Sequence, residues 1–156
     1  MKKNTLVFVH FEPHGRHFRA FLPIEAFIMN NLNGTKMIDA AANLYEKYTN
    51  AMLIKLNEID YMRRKRILIP ARLIWELGDL VFKLVDELKQ MSLQIDSLYQ
   101  HLSRDLNIKP KRLEKIVIFR RYINDEKLIP PALNWGRCEK GTRRIAENIS
   151  RGILPG

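Results

Sequence analysis

The chain has a single cysteine among its 156 residues, so no intrachain disulfide can form. It also has no stretch approaching the roughly 20 apolar residues that a membrane span requires. The N-terminal apolar run is broken at His10 and is too short for a secretory signal. Because disulfides are rare in reducing compartments, we expect a cytoplasmic protein that does not enter a membrane.

The motifs of common enzyme classes are missing too. The sequence contains no Gly-rich phosphate-binding loop, no dinucleotide fingerprint, no G-x-S-x-G turn and no H-E-x-x-H motif. Asp79, Asp86 and Glu87 have the spacing of salt-bridge formers on a helix surface, not that of a nuclease metal site. Cys138 has cationic neighbours that could lower its pKa, but no histidine base is placed beside it. The sequence therefore predicts neither an enzyme nor a cofactor.

Three of the four histidines lie close together, at His10, His14 and His17. A zinc site needs four protein ligands, or three and a water molecule. No cysteine is near, and Glu12 is the only local carboxylate. We expect these histidines on the surface, in contact with phosphate alongside Arg16 and Arg19, and we predict no metal site.

Positive charge is what the chain has in excess, with a formal net charge of +10 and a pI of about 9.9. Residues 1–99 carry 14 basic and 11 acidic side chains, whereas residues 100–156 carry 13 basic and 6 acidic ones. Such a field favours a polyanion, most often nucleic acid. A membrane surface is the weaker candidate, since no basic amphipathic helix stands apart from the core. The alternative is that the charge only keeps the protein soluble.

The segment from Tyr99 to Phe119 has the pattern of a helix, a tight turn and a second helix. Asn107 stands at the turn, where a left-handed backbone favours Gly or Asn. Ser103 is small enough for a close crossing, and Ile108 would pack beneath the turn. The apolar residues expected to hold the pair together are Leu102, Leu106, Leu113 and Ile116. This spacing resembles helix-turn-helix DNA-binding proteins, in which the second helix enters the major groove.

The polar face of the second helix is cationic: it carries Lys109, Lys111, Arg112 and Lys115. Pro110 suits a first helical turn, where no intrahelical N–H bond is lost. Cations at a helix start oppose the helix dipole, so phosphate or a base edge would supply the negative partner. We predict that all four contact the duplex, Lys109 and Lys111 nearest the base edges. Ordinary packing of two helices is the alternative explanation of the segment.

Two more groups of cations are candidate phosphate contacts. Arg63, Arg64, Lys65 and Arg66 form a run before an apolar Ile67-Leu68-Ile69 segment. A run of this kind is either a phosphate contact or a solvated helix end. The second group consists of Arg120, Arg121, Arg143 and Arg144.

The rest of the pattern predicts a mainly α fold: a helical bundle that contains the helix-turn-helix at 99–119, with a possible short N-terminal β-hairpin over 6–22. We place an N-terminal appendage at 1–33 and the helical domain at 34–156. Helices are expected at 24–31, 36–61, 71–90 and 95–106, and a last one is expected to be capped by Asn134 or Thr142. Thr35 is expected to cap the second of these, Gly78 to mark a close helix crossing, and Trp135 to anchor a loop.

Four short motifs occur in order: W-E-L-G at 75–78, L-S-R-D-L at 102–106, F-R-R-Y-I at 119–123 and L-N-W at 133–135. Together they resemble the helical domain that precedes the PD-(D/E)XK nuclease domain in a family of bacterial DNA-associated proteins. The similarity covers residues 71–136. This chain has no room for the nuclease domain, so the resemblance implies a recognition module and no catalytic residue.

These observations predict a nucleic-acid-binding protein, with DNA favoured over RNA, that acts as a regulator or a mobile-element accessory factor. A first alternative is a small basic subunit of a ribonucleoprotein such as a CRISPR effector complex, in which exposed aromatics such as Phe18 and Phe21 would contact like or unlike subunits. A second alternative is a helical protein–protein adaptor with an acidic partner. A homo-oligomer is compatible with all three.

Overall fold

The structure is a computed structural model, and it describes residues 6–12, 17–25 and 34–154. Over these residues the protein is mainly helical, with a three-stranded antiparallel sheet, so the predicted fold class is confirmed. The strands are β1 (Leu6–Phe11), β2 (Phe18–Pro23) and β3 (Gln94–Ile95). The helices are α1 (Gly34–Arg64), α2 (Ala71–Gln90), α3 (Leu98–Asp105), α4 (Pro110–Tyr122) and α5 (Thr142–Ser150), with short 3₁₀ turns at Glu126–Leu128 and Trp135–Arg137.

The predicted hairpin is formed by β1 and β2, which pair in register from Leu6 opposite Pro23 to Phe11 opposite Phe18. Burial alternates along β2, because successive side chains of a strand point to opposite faces. The inward residues Phe18, Ala20 and Leu22 are fully buried. The hairpin therefore has one face in the core and one in solvent.

The hairpin is not detached from the helices. β2 also pairs with β3, where Ala20 lies opposite Ile95, and the ring of Phe18 packs edge-on against Tyr45 at 4.7 Å. The expectation that Phe18 forms an exposed docking surface is therefore wrong, because its side chain is part of the core. The predicted boundary at residue 33 stays a prediction, since residues 26–33, including most of the predicted helix at 24–31, lie outside the described residues.

The two long helices agree well with the apolar periodicity. α2 begins and ends where predicted, and its stripe of Ile74, Leu77, Val81, Leu84 and Leu88 is buried. α1 extends beyond the predicted 36–61 at both ends, so that Thr35 lies within the helix instead of capping it.

Gly78 marks a close helix crossing, as predicted. A Cβ at this position would lie 2.7 Å from the Cβ of Arg120 and 2.9 Å from the carbonyl oxygen of Ile116. The missing side chain lets α2 and α4 touch through their backbones. This contact sets how α4 lies on the core.

Within the described residues, four helices end in the same way. A residue just after each helix adopts a positive φ and donates its N–H back into the last turn, as in the Schellman motif. These residues are Arg66 (φ 57°), Ser92 (φ 56°), Asn107 (φ 52°) and Gly152 (φ 77°). Glycine is usual at such positions because the left-handed region costs it nothing. Arg66 and Ser92 both depart from this preference, since neither is glycine or asparagine.

The segment 99–119 folds as a helix, a turn and a helix. Asn107 is left-handed as predicted, and Ile108 donates its N–H to the Ser103 carbonyl at 3.0 Å. The Ser103 hydroxyl donates to the Ile108 carbonyl at 2.6 Å, which ties the turn to α3. The four predicted apolar residues Leu102, Leu106, Leu113 and Ile116 are all buried. The use of this pair as a DNA-reading motif stays a prediction.

The start of the first of these helices was predicted wrongly. Ile95 belongs to β3 instead of α3, and the N–H of Asp96 donates to the Arg19 carbonyl at 2.7 Å. Helical periodicity cannot reveal a two-residue strand, because its partner β2 is distant in sequence. Asn134 likewise caps the 3₁₀ turn at Trp135–Arg137, and not α5, by accepting from the Arg137 N–H at 3.2 Å.

The Pro-rich loop after α4 is anchored by Trp135, as predicted. Its ring is 2% exposed and packs edge-on against Phe119 with the centroids 5.3 Å apart. The backbone N–H of Trp135 donates to the Ile69 carbonyl at 2.8 Å, next to an antiparallel bridge between Pro70 and Asn134. The loop thereby links the α1–α2 connection to α4.

Replacing Gly78 by alanine should destabilise the protein by about 1–3 kcal/mol, because overpacking outweighs the gain in helix propensity. Urea denaturation would measure the loss. Gly136→Ala is the control, since its Cβ would meet only the Asn134 side-chain oxygen at 3.2 Å. A Gly78→Ala protein as stable as the wild type would contradict the close crossing.

Arg66→Gly should stabilise the protein by about 1 kcal/mol, since glycine removes the cost of a side chain in the left-handed region. Arg66→Ala removes the same charge but keeps the Cβ, and it should show no such gain. The midpoints of chemical denaturation compare the two. If the alanine variant were the more stable, the strain assigned to this helix end would be refuted.

Candidate nucleic-acid interface

The first turn of α4 lacks the usual negative partners of a helix N-terminus. Lys109 precedes the helix in an extended conformation, Pro110 occupies its start, and no acidic residue lies in the first turn. The Lys109 side chain makes no capping hydrogen bond, and the Arg112 N–H donates to the Lys109 carbonyl at 3.0 Å. The positive end of the helix dipole is therefore reinforced by lysines, which an anion would offset.

Lys109, Lys111 and Lys115 are exposed around this turn. None of the ion pairs found within residues 6–12, 17–25 and 34–154 involves them. Glu114 is the one carboxylate of α4, and it is also exposed. The three ammonium groups thus face solvent, as the sequence predicted.

Arg112 differs from the lysines, because it is half-buried. Its Nε and Nη2 atoms are enclosed and have no hydrogen-bond partner among the described residues. Burial lowers the pKa of Arg112, and the charge of Arg63 lowers it further, against the opposing effects of Asp60 and Glu139. A buried guanidinium without partners is costly, so a nearby anion would stabilise this end of the molecule.

A shallow cavity of about 230 Å³ lies at this point. It is lined by Lys109, Lys111, Arg112, Lys115, Trp135 and Glu139. Four cations and one carboxylate surround a space that would admit a phosphate group. Trp135 is the one aromatic residue among those that line it.

The cationic run at the end of α1 lies beside the same place. Arg63 is near enough to Arg112 to affect its pKa, and Ile69 pairs with the cavity residue Trp135. Arg63, Arg64, Lys65 and Arg66 are all exposed. We call Lys109, Lys111, Arg112, Lys115 and Arg63 the cationic surface. Its two parts are separated by more than 40 positions in the sequence, so no local pattern could have joined them.

Arg120 does not belong to this surface, and the expectation that it holds a phosphate is corrected. Its Nε donates to Asp79 at 2.9 Å, and its guanidinium lies 4.7 Å from the ring centroid of Trp75 and 4.8 Å from that of Phe82. Arg120 therefore links α4 to α2 within the fold. The sequence did not reveal this role, because Asp79, Trp75 and Phe82, which contact Arg120, all lie on α2.

The other predicted phosphate contacts are exposed but lie elsewhere. Arg121 lines a groove with Tyr99 between α3 and α4. Arg143 pairs with Glu147 at 3.2 Å and lies 5.3 Å from the ring of Tyr122, while Arg144 is exposed on the same helix. These three are not among the residues that line the cavity. Trp135 and Glu139 do line the cavity. The sequence did not predict this, because only the path of the loop after α4 brings them there.

The cysteine, His10 and His17 were the remaining candidates for special chemistry. Cys138 is buried, and burial together with Glu139 raises its pKa to about 11, so its thiol stays protonated at neutral pH. The expected effect of its cationic neighbours is thus reversed. His17 pairs with Glu12 at 2.9 Å, His10 is exposed, and His14 lies outside the described residues. In the described part of the chain no cluster has the composition of a metal site.

No family model matches this chain, and the searches of curated proteins and of solved structures find no match either. Within the described residues, none of the helices combines the length and the apolar character needed to cross a membrane.

Arg112→Met should raise the free energy of unfolding by about 1 kcal/mol, because it removes a buried, unpartnered guanidinium while keeping the aliphatic chain. Arg137→Met is the matched control, since Arg137 is exposed, and it should change little. Denaturant titration at moderate salt would compare the two. A destabilised Arg112→Met protein would mean that the guanidinium contributes to folding.

Proposed function

We propose that this protein binds nucleic acid, and duplex DNA in particular, through the cationic surface, and that it acts in the cytoplasm as a regulator or accessory factor. The observation that supports this most directly is Arg112. Two of its nitrogens are enclosed without a partner in the described chain, beside a cavity lined by three exposed lysines. Phosphate is the ligand that such a group of cations suits best.

The exposure of α4 is compatible with a helix that enters a groove by its first two turns. Lys111 and Lys115 face solvent, whereas Leu113 and Ile116 are buried behind them. Further along the helix Val117 and Phe119 are buried as well, so the later part of α4 belongs to the core. In groove-binding helices the N-terminal residues reach the base edges. The α3–α4 pair would act in this way.

A second candidate function has its own observation. Phe8 is 50% exposed on the outer face of the hairpin, and the guanidinium of Arg19 lies 4.0 Å from its ring centroid. Exposed aromatic and arginine side chains on a sheet are suited to stacking unpaired bases. A ribonucleoprotein subunit would use this face for single-stranded RNA. The adaptor with an acidic partner is the third possibility.

A salt series with Lys109, Lys111 and Lys115 all changed to alanine tests the proposal. For duplex DNA, the slope of log affinity against log salt should decrease by roughly 0.9 for each phosphate that the variant no longer neutralises. The change should appear as weaker binding at low salt. Fluorescence anisotropy with a labelled duplex measures it.

The control variant changes the exposed Lys47, Lys89 and Lys127 to alanine. It removes the same charge outside the cationic surface and should leave most of the slope. An equal loss in both variants would mean that net charge, and not this surface, attracts DNA. Tighter binding to single-stranded RNA than to any duplex would favour the ribonucleoprotein subunit, and no binding to either would favour the adaptor.

A further inference from the structure

The connection between α1 and α2 presents two large apolar side chains to solvent. Ile67 is 50% exposed and Leu68 is 73% exposed, the highest value among the large exposed apolar residues of the described chain. Neither side chain belongs to the hydrophobic core, whereas the next residue, Ile69, packs against it. Two adjacent aliphatic side chains in water leave apolar surface that a partner could bury.

The backbone holds these side chains outward. Before them, the Ile67 N–H donates to the Met62 carbonyl at 2.8 Å, and Arg66 is left-handed. After them, the Ile69 carbonyl accepts from the Trp135 N–H at 2.8 Å. Both ends of the short connection are therefore fixed. The apolar pair therefore projects from a connection whose backbone is hydrogen-bonded at both ends.

The charged residues near the pair in sequence are all cationic. Residues 61–75 contain no acidic residue, and Arg63, Arg64, Lys65 and Arg66 precede the pair directly. In space, Arg63 lies near Arg112 of the cationic surface. An apolar tip beside so many cations suits a partner that has a polyanionic surface and an apolar interior. A base-paired duplex has both, in its phosphates and its stacked bases.

We propose that Ile67 and Leu68 form a wedge that inserts between base pairs of a duplex held on the cationic surface, and so bends it. This inference rests on the proposed function. Proteins that insert leucine or isoleucine between base steps unstack them and kink the duplex. Arg63 to Arg66 would neutralise the phosphates that the bend brings together. The left-handed Arg66 keeps a charge where glycine would be more stable.

Bending can be measured with a short duplex that carries a fluorescent donor and acceptor at its two ends. Binding of the full chain should raise the energy transfer as the ends approach. The double variant Ile67→Ala with Leu68→Ala should bind about tenfold more weakly, as the loss of buried aliphatic surface implies. It should produce no rise in energy transfer. Its salt slope should stay that of the wild type, since no charge is removed.

Two variants control for side effects. Leu68→Met keeps a long apolar side chain and should preserve the bend. The double change Ile54→Ala with Ile153→Ala removes two other exposed aliphatic side chains, which are 69% and 53% exposed, and it should bend the duplex like the wild type. Because all these positions are at the surface, circular dichroism should show unchanged folding.

The outcomes separate the inference from the proposed function. If the wild type binds the duplex without any rise in energy transfer, or if the Ile67/Leu68 variant bends it equally well, the wedge is refuted while binding stands. If the wild type binds no duplex at all, the proposed function fails first and the wedge fails with it. Binding to phosphatidylserine vesicles that the double variant abolishes, with no bending of DNA, would assign the tip to a membrane surface and overturn the wedge.

Discussion

Helices α2 and α4 meet at Gly78 with no room for a methyl group, since a Cβ there would lie 2.7 Å from the Cβ of Arg120. The Arg120–Asp79 ion pair and the flanking rings of Trp75 and Phe82 hold the same crossing. With this face of α4 turned to the core, Lys111 and Lys115 lie on the solvent side of the helix. The position of the cationic surface therefore follows from a packing constraint about two helical turns further along α4.

The same crossing explains why some cations of α4 are paired within the fold and others are exposed. Arg120 is enclosed, and its charge is matched by a carboxylate and by aromatic faces, as a buried cation requires. Lys109, Lys111 and Lys115 are left without such partners in the described chain, and Arg112 is only partly compensated. Arg120, which links two helices, is thus paired with a carboxylate. Lys109, Lys111, Arg112 and Lys115 instead line the cavity at the start of α4.

Three departures from what stability alone would favour occur at that end of the molecule. Arg66 occupies a left-handed position, Arg112 buries two nitrogens for which the described residues offer no partner, and Leu68 is exposed. Each has a cost of its own, and local rules are most often broken where a protein functions. Their common location supports the proposal that an external polyanion completes this region.

Much of the fold could be predicted from local pattern. The limits of α2, the left-handed Asn107 and the buried leucines around the turn between α3 and α4 follow from periodicity and from backbone preferences that act within a few residues. The sequence by itself also determined which face of α4 is cationic, because 3.6-residue spacing separates it from the apolar face. The tertiary structure alone decided the pairing of β2 with β3, the burial of Phe18, the internal role of Arg120 and the influence of the Arg63 charge on Arg112. These depend on contacts between residues far apart in the chain, and such contacts are set by how whole elements pack and not by any local preference.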